Sequence, residues 1–558
     1  MVEACNCDPE VASAALEEAD GSVKLAVNEH FTLACLRIRR PRPWQLRADM
    51  FAKHSKRAAN ASPNQPSAAS LPRPLAKRRL LWGGATASSQ YEGAFNVGGK
   101  GLDTQDVRPY LPRTSNATTA TRLLTRSAVE RAKSDTAGTY PFRTASDGYG
   151  HLDEDIALLK ELGIDIYRFS ISWARLFPNG DEQEPNAEGL AYYDRVFSAV
   201  RNAGMKVFLT LTHYALPLNL VESYGGWTNR MLIGFYVRFA QVVFERWGEF
   251  IDFYLPFNEI NAGYFSPWNG VGLIKPEDGP YNQSDVFQSL HHQFVASARV
   301  IEMQRRVAPA CQSGCMVADF CYYPHTCSPE DNLKTIREEQ VNQWFAIDVL
   351  ARGFYPTYMD RFFTEHGIRI ELKSDDLEVL ARHTCDFVSI SYYQSSVCST
   401  NETAEHTAGN LVCTVKNPYL QATEWGWQID PIGLRTALNK LYDRVHKPIF
   451  ISENGMGARD VLERDNGSAV VHDPYRIDYL SRHFEQIDEA VADGVDVIGY
   501  IMWGVIDIVS AGSCEMEKRY GVAYVDADNY GNGTYERIKK DSFTWYRDFI
   551  SSRHGNEE

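Results

Sequence analysis

Two glutamates stand in similar company: Glu259 in "PFNEI" and Glu453 in "ISENG", each following an apolar run and each beside an asparagine. Taken singly, either would be a surface or salt-bridged residue. A converging pair has a specific use. Retaining glycoside hydrolysis needs two carboxyl groups about 5 to 5.5 Å apart, one attacking as nucleophile and one giving and taking the proton. Other residues end apolar runs in the same way: Arg168 in "YRFSISW", His213-Tyr214, Asn258, Tyr392-Tyr393, Asn454 and Trp503. Rings stack on the C–H faces of a sugar, and amides and imidazole bind its hydroxyls.

These residues need a scaffold that brings eight chain segments to one mouth. From residue 80 onward, short apolar runs alternate with helical stretches. The runs are "LLWGGAT" (80–86), "IYRFSIS" (166–172), "KVFLTLT" (206–212), "DFYLPFN" (252–258), "CMVADF" (315–320), "DFVSISYY" (386–393), "PIFISEN" (448–454) and "VIGYIMWG" (497–504). Each reads as a buried parallel strand, apolar on both faces. Between them, "HLDEDIALLKELG" places Leu152, Ile156 and Leu159 on one helix face, with Gly163 past its end. Eight such alternations predict an α/β fold, a (β/α)8 TIM barrel with long loops, whose active site lies at the C-terminal ends of the strands. The alternative is a doubly wound sheet, but no glycine-rich phosphate fingerprint follows the first run.

The chain has 558 residues, of which 44% are hydrophobic, enough for a large core. No run approaches the roughly 18 apolar residues of a membrane span. The acidic N-terminus lacks the charged-then-apolar order of a secretory signal. Eleven cysteines, an odd and scattered set, fit reduced thiols. Cys311, Cys315, Cys321 and Cys327 with His325 lack the paired C-x2-C spacing of structural zinc, so no metal is expected. A net charge of −15 argues against nucleic acid. The expectation is a soluble cytoplasmic protein without cofactor, metal, nucleic-acid or membrane partner, a homo-oligomer being left open.

Three regions follow from composition. Residues 1–35 form a small helical segment: within 8–34, Asp8 and Pro9 open one helix, Gly21 stops it, and Ser22 can cap the next, "VKLAVNEH". Its piece "CDPEVASAALEEADGSVKLAV" resembles the C-terminal tail of N-acetylmuramic acid 6-phosphate etherases; a generic amphipathic helix pair is the alternative. Residues 36–79, rich in Pro, Ala and Arg, carry twelve basic residues against one acidic, Asp49, and read as a disordered basic linker. Residues 80–551 form the barrel domain, with an insertion rich in Thr, Ser and Ala over about 108–137.

From about residue 80 to 549 the chain resembles family-1 glycoside hydrolases of the β-glucosidase type. The resemblance rests on "LLWGGATASSQYEG", "YRFSISWARLFPNG", "THYALPLNL", "PFNEI", "SYY", "GWQIDPIGLR", "ISENG" and "GYIMWGVIDIVSAG". It implies that Glu453 is the nucleophile and Glu259 the acid/base. It further implies that Gln90, His213 and Asn258 bind glycone hydroxyls, and that Trp503 floors the sugar ring. Tyr393 and Arg168 would steady Glu453, and Trp427 would face the aglycone. Pro256, Ile260 and Ser391 depart from the family pattern; the last leaves the aglycone-side hydrogen bonding open.

The loop "VSAGSCEMEKRYGVAYVD" (509–526) refines this reading. Plain β-glucosidases of the family carry Glu-Trp where this chain has Ser510-Ala511, and that Glu grips the outer hydroxyls of glucose. Its absence removes a repulsive charge, while Lys518, Ser510 and Tyr520 can donate to phosphate oxygens. The loop resembles the 6-phospho-β-glucosidase branch, with Ala511 favouring the gluco over the galacto form. Gly512 stands where many of that branch have a hydroxyl, and Ser513 or a loop N–H is expected to take its place. The implied activity is retaining hydrolysis of phosphorylated β-glucosides in a bacterial cytoplasm. An ordinary β-glucosidase and a non-catalytic sugar-phosphate binding protein are the alternatives.

Overall fold

A computed structural model describes residues 79–112, 124–465 and 468–555. The helical segment expected at 1–35 and the linker expected at 36–79, Arg79 excepted, lie outside the described residues, as do positions 113–123 of the expected insertion. The remainder of that insertion is not all loop: Arg126–Ser134 is a helix, N-capped by Thr125 and seated on Val129 and Ala132.

Eight parallel strands close into a barrel in simple chain order. They are β1 (Leu81–Ala85), β2 (Ile166–Ser170), β3 (Lys206–Thr212), β4 (Ile251–Phe257), β5 (Gln312–Asp319), β6 (Phe387–Tyr392), β7 (Ile449–Asn454) and β8 (Val497–Trp503). Each of the eight apolar runs forms one of them. Their near-complete burial is what the uninterrupted apolar character requires: the interior is filled by side chains and the outside is covered by helices.

The barrel's interior is plugged by Phe208, Phe253, Phe387 and Phe450, from β3, β4, β6 and β7. All six pairs of rings have centroids 4.8 to 6.1 Å apart. Contacts of this kind add about 0.5 to 1.5 kcal/mol per pair beyond burial. The Arg168 guanidinium lies 5.8 Å from the Phe208 centroid, so the polar site begins where the aromatic plug stops.

The covering helices have the expected punctuation. Leu152–Leu162 buries Leu152, Ile156 and Leu159 and ends on Gly163 at φ 75°, a left-handed position that suits glycine. Pro431–Val445 and Pro474–Ala492 both start with proline at the first turn, where a missing N–H costs nothing. The closing helix, Asp541–Gly555, runs past the expected boundary at 551. Between β6 and the helix at Pro431, a long excursion is pinned by short strand pairs. Ser396–Cys398 pairs with Tyr322–Pro324, and His406–Thr407 pairs with Thr414–Val415. Among the described residues no helix is long and apolar enough to cross a membrane.

Candidate active site

Glu453 lies at the C-terminal end of β7, where the strand's register slips. The shift falls between Ile451 and Glu453 against β6, and between Ile451 and Asn454 against β8. Such an irregularity re-aims a side chain, and here the carboxylate faces the barrel mouth. Arg168 Nη1 donates to Glu453 Oε1 at 2.6 Å, and the Tyr393 hydroxyl donates to Oε2 at 2.9 Å. Arg168, itself fully buried, also donates to Thr210 Oγ1, to the Ser452 carbonyl and, through Nη2, to Asn258 Oδ1 at 2.7 Å. One guanidinium thus joins β2, β3, β7 and the end of β4.

Glu259 follows Asn258 just beyond β4, with φ at 36°, an uncommon conformation for a residue with a side chain and one of the kind that clusters at functional sites. Its carboxyl accepts hydrogen bonds from the Tyr214 hydroxyl and from the Ser391 hydroxyl. Ser391, the position that departs from the family pattern, is therefore in contact with this carboxyl. Tyr214, which follows β3, stands at a strand end in the sequence, but nothing there assigns it a partner.

Burial raises the pKa of both carboxyls. Glu453 is lifted to about 7 by burial; Arg168 pulls it back, Glu259 pushes it up, and Tyr393 again opposes. Glu259 is also lifted by burial, against the pull of Ser391, Tyr214 and Arg168. Because Glu259 adds to the upward push on Glu453, ionisation of one disfavours ionisation of the other. Only Glu453 has a guanidinium against it, so the charge belongs on Glu453 and the proton on Glu259. Tyr393 and Tyr214 are held well above the usual phenol range by burial and by these carboxyls, so both remain O–H donors.

The expected sugar-binding residues gather around this pair. His213 stacks on Trp503 with ring centroids 5.1 Å apart and planes 13° from parallel. Burial and then Arg168 hold the imidazole well below its usual pKa, so it is neutral and can both donate and accept. Asn258 Nδ2 is buried and makes no hydrogen bond of normal geometry, with the Tyr214 phenol beside it. Gln90 donates to the Val509 carbonyl at 2.7 Å, while its Oε1 is buried without a partner. Unmet buried polar atoms of this kind are what a hydroxylated ligand would satisfy.

The 509–521 loop forms one wall. Ala511, Gly512, Ser513, Lys518 and Tyr520 line a cavity together with Glu259, Glu453 and Trp503. The Ser513 hydroxyl is buried with no partner. Ser510 is also buried, 3.4 Å from the Tyr520 hydroxyl. Lys518 Nζ stands 3.6 Å from the centroid of Trp427, whose ring is 5.4 Å from Tyr393. Trp427, expected on the aglycone side, is thus also the ring beneath the loop's cation. The excursion after β6 contributes Asn410, Leu411 and Trp425, which sequence periodicity does not single out. Trp425 donates its indole N–H to Glu515 Oε2 at 3.0 Å.

Behind the wall lies a fully buried ionic network of three cations and three carboxylates. Arg476 pairs with Asp460 at 2.7 Å and Asp473 at 2.8 Å; Lys540 pairs with Asp460 and with Asp507 at 2.8 Å; Arg519 pairs with Asp507 at 3.2 Å. Arg476 also donates to the Tyr520 carbonyl at 3.0 Å, and Lys540 to the Gly521 carbonyl at 2.7 Å. In "KRY", Lys518 and Tyr520 face the cavity while Arg519 anchors behind. Among the described residues no cluster of His, Cys, Asp and Glu could hold a metal ion.

Comparison with known proteins identifies the family. Residues 75–555 match the sequence profile of Glycosyl hydrolase family 1. The chain is 46% identical over 476 residues to the aryl-phospho-beta-D-glucosidase BglH of Bacillus subtilis (strain 168), covering 85% of this chain and 97% of that one. It is 44% identical over 475 residues to the 6-phospho-beta-glucosidase AscB of Escherichia coli (strain K12), covering 85% and 97%. A solved family 1 β-glucosidase from Thermotoga maritima superposes with a TM-score of 0.71 at 27% identity, covering 86% of this chain and 98% of that one.

Proposed function

Because this chain belongs to glycosyl hydrolase family 1, we propose that its cavity hydrolyses 6-phospho-β-glucosides with retention, releasing glucose 6-phosphate and an aglycone. Glu453, held by Arg168 and Tyr393, attacks the anomeric carbon. Glu259 gives its proton to the departing oxygen. The pair then reverses roles: Glu259 takes a proton from water, which attacks the glycosyl-enzyme and releases Glu453. Arg168 stabilises the carboxylate at the start and again at the end of the cycle. No cofactor enters any step.

The observation that carries the 6-phosphate reading is the cavity wall. Ser510-Ala511 stand where a Glu-Trp pair would exclude phosphate; Ala511 and Ser513 line the wall, and Lys518 and Tyr520 line it with a cation and a phenol. Ser510 sits behind Tyr520 and steadies that hydroxyl. Charge-assisted donors of this kind suit phosphate oxygens. The relatives named above carry phosphoglucosidase names, in keeping with Ala511 and the gluco form. The catalytic unit is the barrel domain, for whose turnover residues 1–79 are dispensable, and a cytoplasmic site of action fits a phosphorylated substrate.

The experiment is a comparison of kcat/KM on p-nitrophenyl β-glucoside and on its 6-phosphate. The phosphorylated substrate should be preferred by several orders of magnitude. Equal turnover of both would return the chain to the plain β-glucosidases, and turnover of neither would favour a binding protein.

A further inference from the structure

Lys518 is supported from outside its own loop. Its stem lies across Gly457, four residues after Glu453. A Cβ added to Gly457 would stand 2.6 Å from Lys518 Cε, 3.0 Å from Cγ and 3.3 Å from Cδ, so the lysine fills the space a side chain would take. The two segments are also tied through their backbones. Arg519 N donates to the Ala458 carbonyl at 2.9 Å, and Ala458 N donates to the Arg519 carbonyl at 2.9 Å. Arg476 Nη1 closes the assembly, donating to the carbonyls of Met456 at 2.7 Å and Tyr520 at 3.0 Å. The lysine's backbone is thereby fixed beside residue 458 and its stem is laid over residue 457.

From this we infer that Gly457 is a specificity-determining position: the absence of a side chain there seats the Lys518 stem and aims its ammonium at the 6-phosphate. Glycine is used at such points because it lets another group approach closely. Its backbone is not in the left-handed region, and the nearest atoms to an added methyl all belong to a flexible lysine. Alanine at 457 therefore displaces the lysine and spares the loop. The inference rests on the phosphate reading above, which makes Lys518 a phosphate ligand.

The test is a double-mutant cycle in the full chain, read on p-nitrophenyl β-glucoside and its 6-phosphate. Gly457→Ala should lower the ratio of kcat/KM, phosphorylated over plain, by about tenfold, in the range expected for loss of a hydrogen bond to a charged group. In a Lys518→Ala background the same change should leave the ratio where Lys518→Ala alone puts it. Inhibition by glucose 6-phosphate relative to glucose should weaken in Gly457→Ala by the same factor. Any loss of Tm in Gly457→Ala should be recovered in the double variant, which removes the obstruction. A ratio held within twofold by Gly457→Ala, or the same fall in the presence and absence of Lys518, overturns the inference alone. A ratio unaffected by Lys518→Ala overturns the phosphate reading and the inference with it.

Discussion

Replacing Tyr214 with phenylalanine should extend catalysis to higher pH. The Tyr214 hydroxyl donates to Glu259, and that bond favours the ionised carboxyl, holding its pKa down against the upward push of burial. Phenylalanine keeps the ring and withdraws the donor. A hydrogen bond to a charged group contributes about 1.5 to 3 kcal/mol. At about 1.36 kcal/mol per pKa unit, the Glu259 pKa should climb by about 1 to 2 units. The acid works in its protonated form, so its deprotonation sets the alkaline limb of kcat/KM. A higher pKa keeps the proton to higher pH, and the limb moves up. The assay is the pH profile of wild type and variant on one 6-phospho-β-glucoside with a poor leaving group, for which protonation of the leaving oxygen matters most. The substrate's own phosphate, titrating near about pH 6, affects both enzymes alike. Ser391→Ala should shift the limb the same way, since it removes the other hydroxyl donor. An unmoved limb, or one moved to lower pH, would refute the assignment of Glu259 as the acid held by these two hydroxyls.

Glu453→Gln should abolish turnover of every substrate, whereas Glu259→Gln should spare those whose leaving group, such as a nitrophenolate, departs without a proton. Azide should rescue Glu259→Ala by attacking the glycosyl-enzyme; a β-glycosyl azide agrees with retention, and an α-product contradicts it. Stability should also report the buried acid. Burial lifts the pKa of Glu259 above its ordinary 4.5, so the folded chain keeps a proton that the unfolded chain gives up, and the stability this contributes is whole below pH 4.5 and lost as pH rises through the raised folded value. The Tm of Glu259→Gln relative to wild type should therefore climb over that span and then level, and a flat difference would show that Glu259 is ionised in the folded chain throughout.

The barrel was legible because buried parallel strands are apolar on both faces. "IYRFSIS" and "VIGYIMWG" could not be amphipathic, and their alternation with helices left few architectures. The two glutamates were legible for the same reason: a carboxylate ending such a run must emerge at the barrel mouth. Tyr214 was harder to read. It occupies the position after His213, and only the closed barrel shows that its hydroxyl reaches across to the residue after β4. Asn410, Leu411 and Trp425 come from an irregular excursion with no periodicity to follow. The seat of Lys518 on Gly457 joins segments about sixty residues apart, and a glycine three residues after an asparagine says nothing by itself of what lies over it.

The ionic network behind the 509–521 loop bears on how such a protein can change over generations. Its charges cancel, three against three, away from water. Losing one partner strands a buried charge at a cost of about 3 to 5 kcal/mol. That is a large part of the roughly 5 to 15 kcal/mol that keeps a domain folded. Single substitutions at Asp460, Arg476, Asp507, Arg519 or Lys540 are therefore nearly closed to drift, and passage needs two compensating steps at once. The cavity-facing positions 511, 513 and 520 of the same loop lie outside that network. A lineage can exchange what the loop recognises one residue at a time while the frame that presents it stays fixed, so a new sugar preference is reachable without passing through an unfolded ancestor.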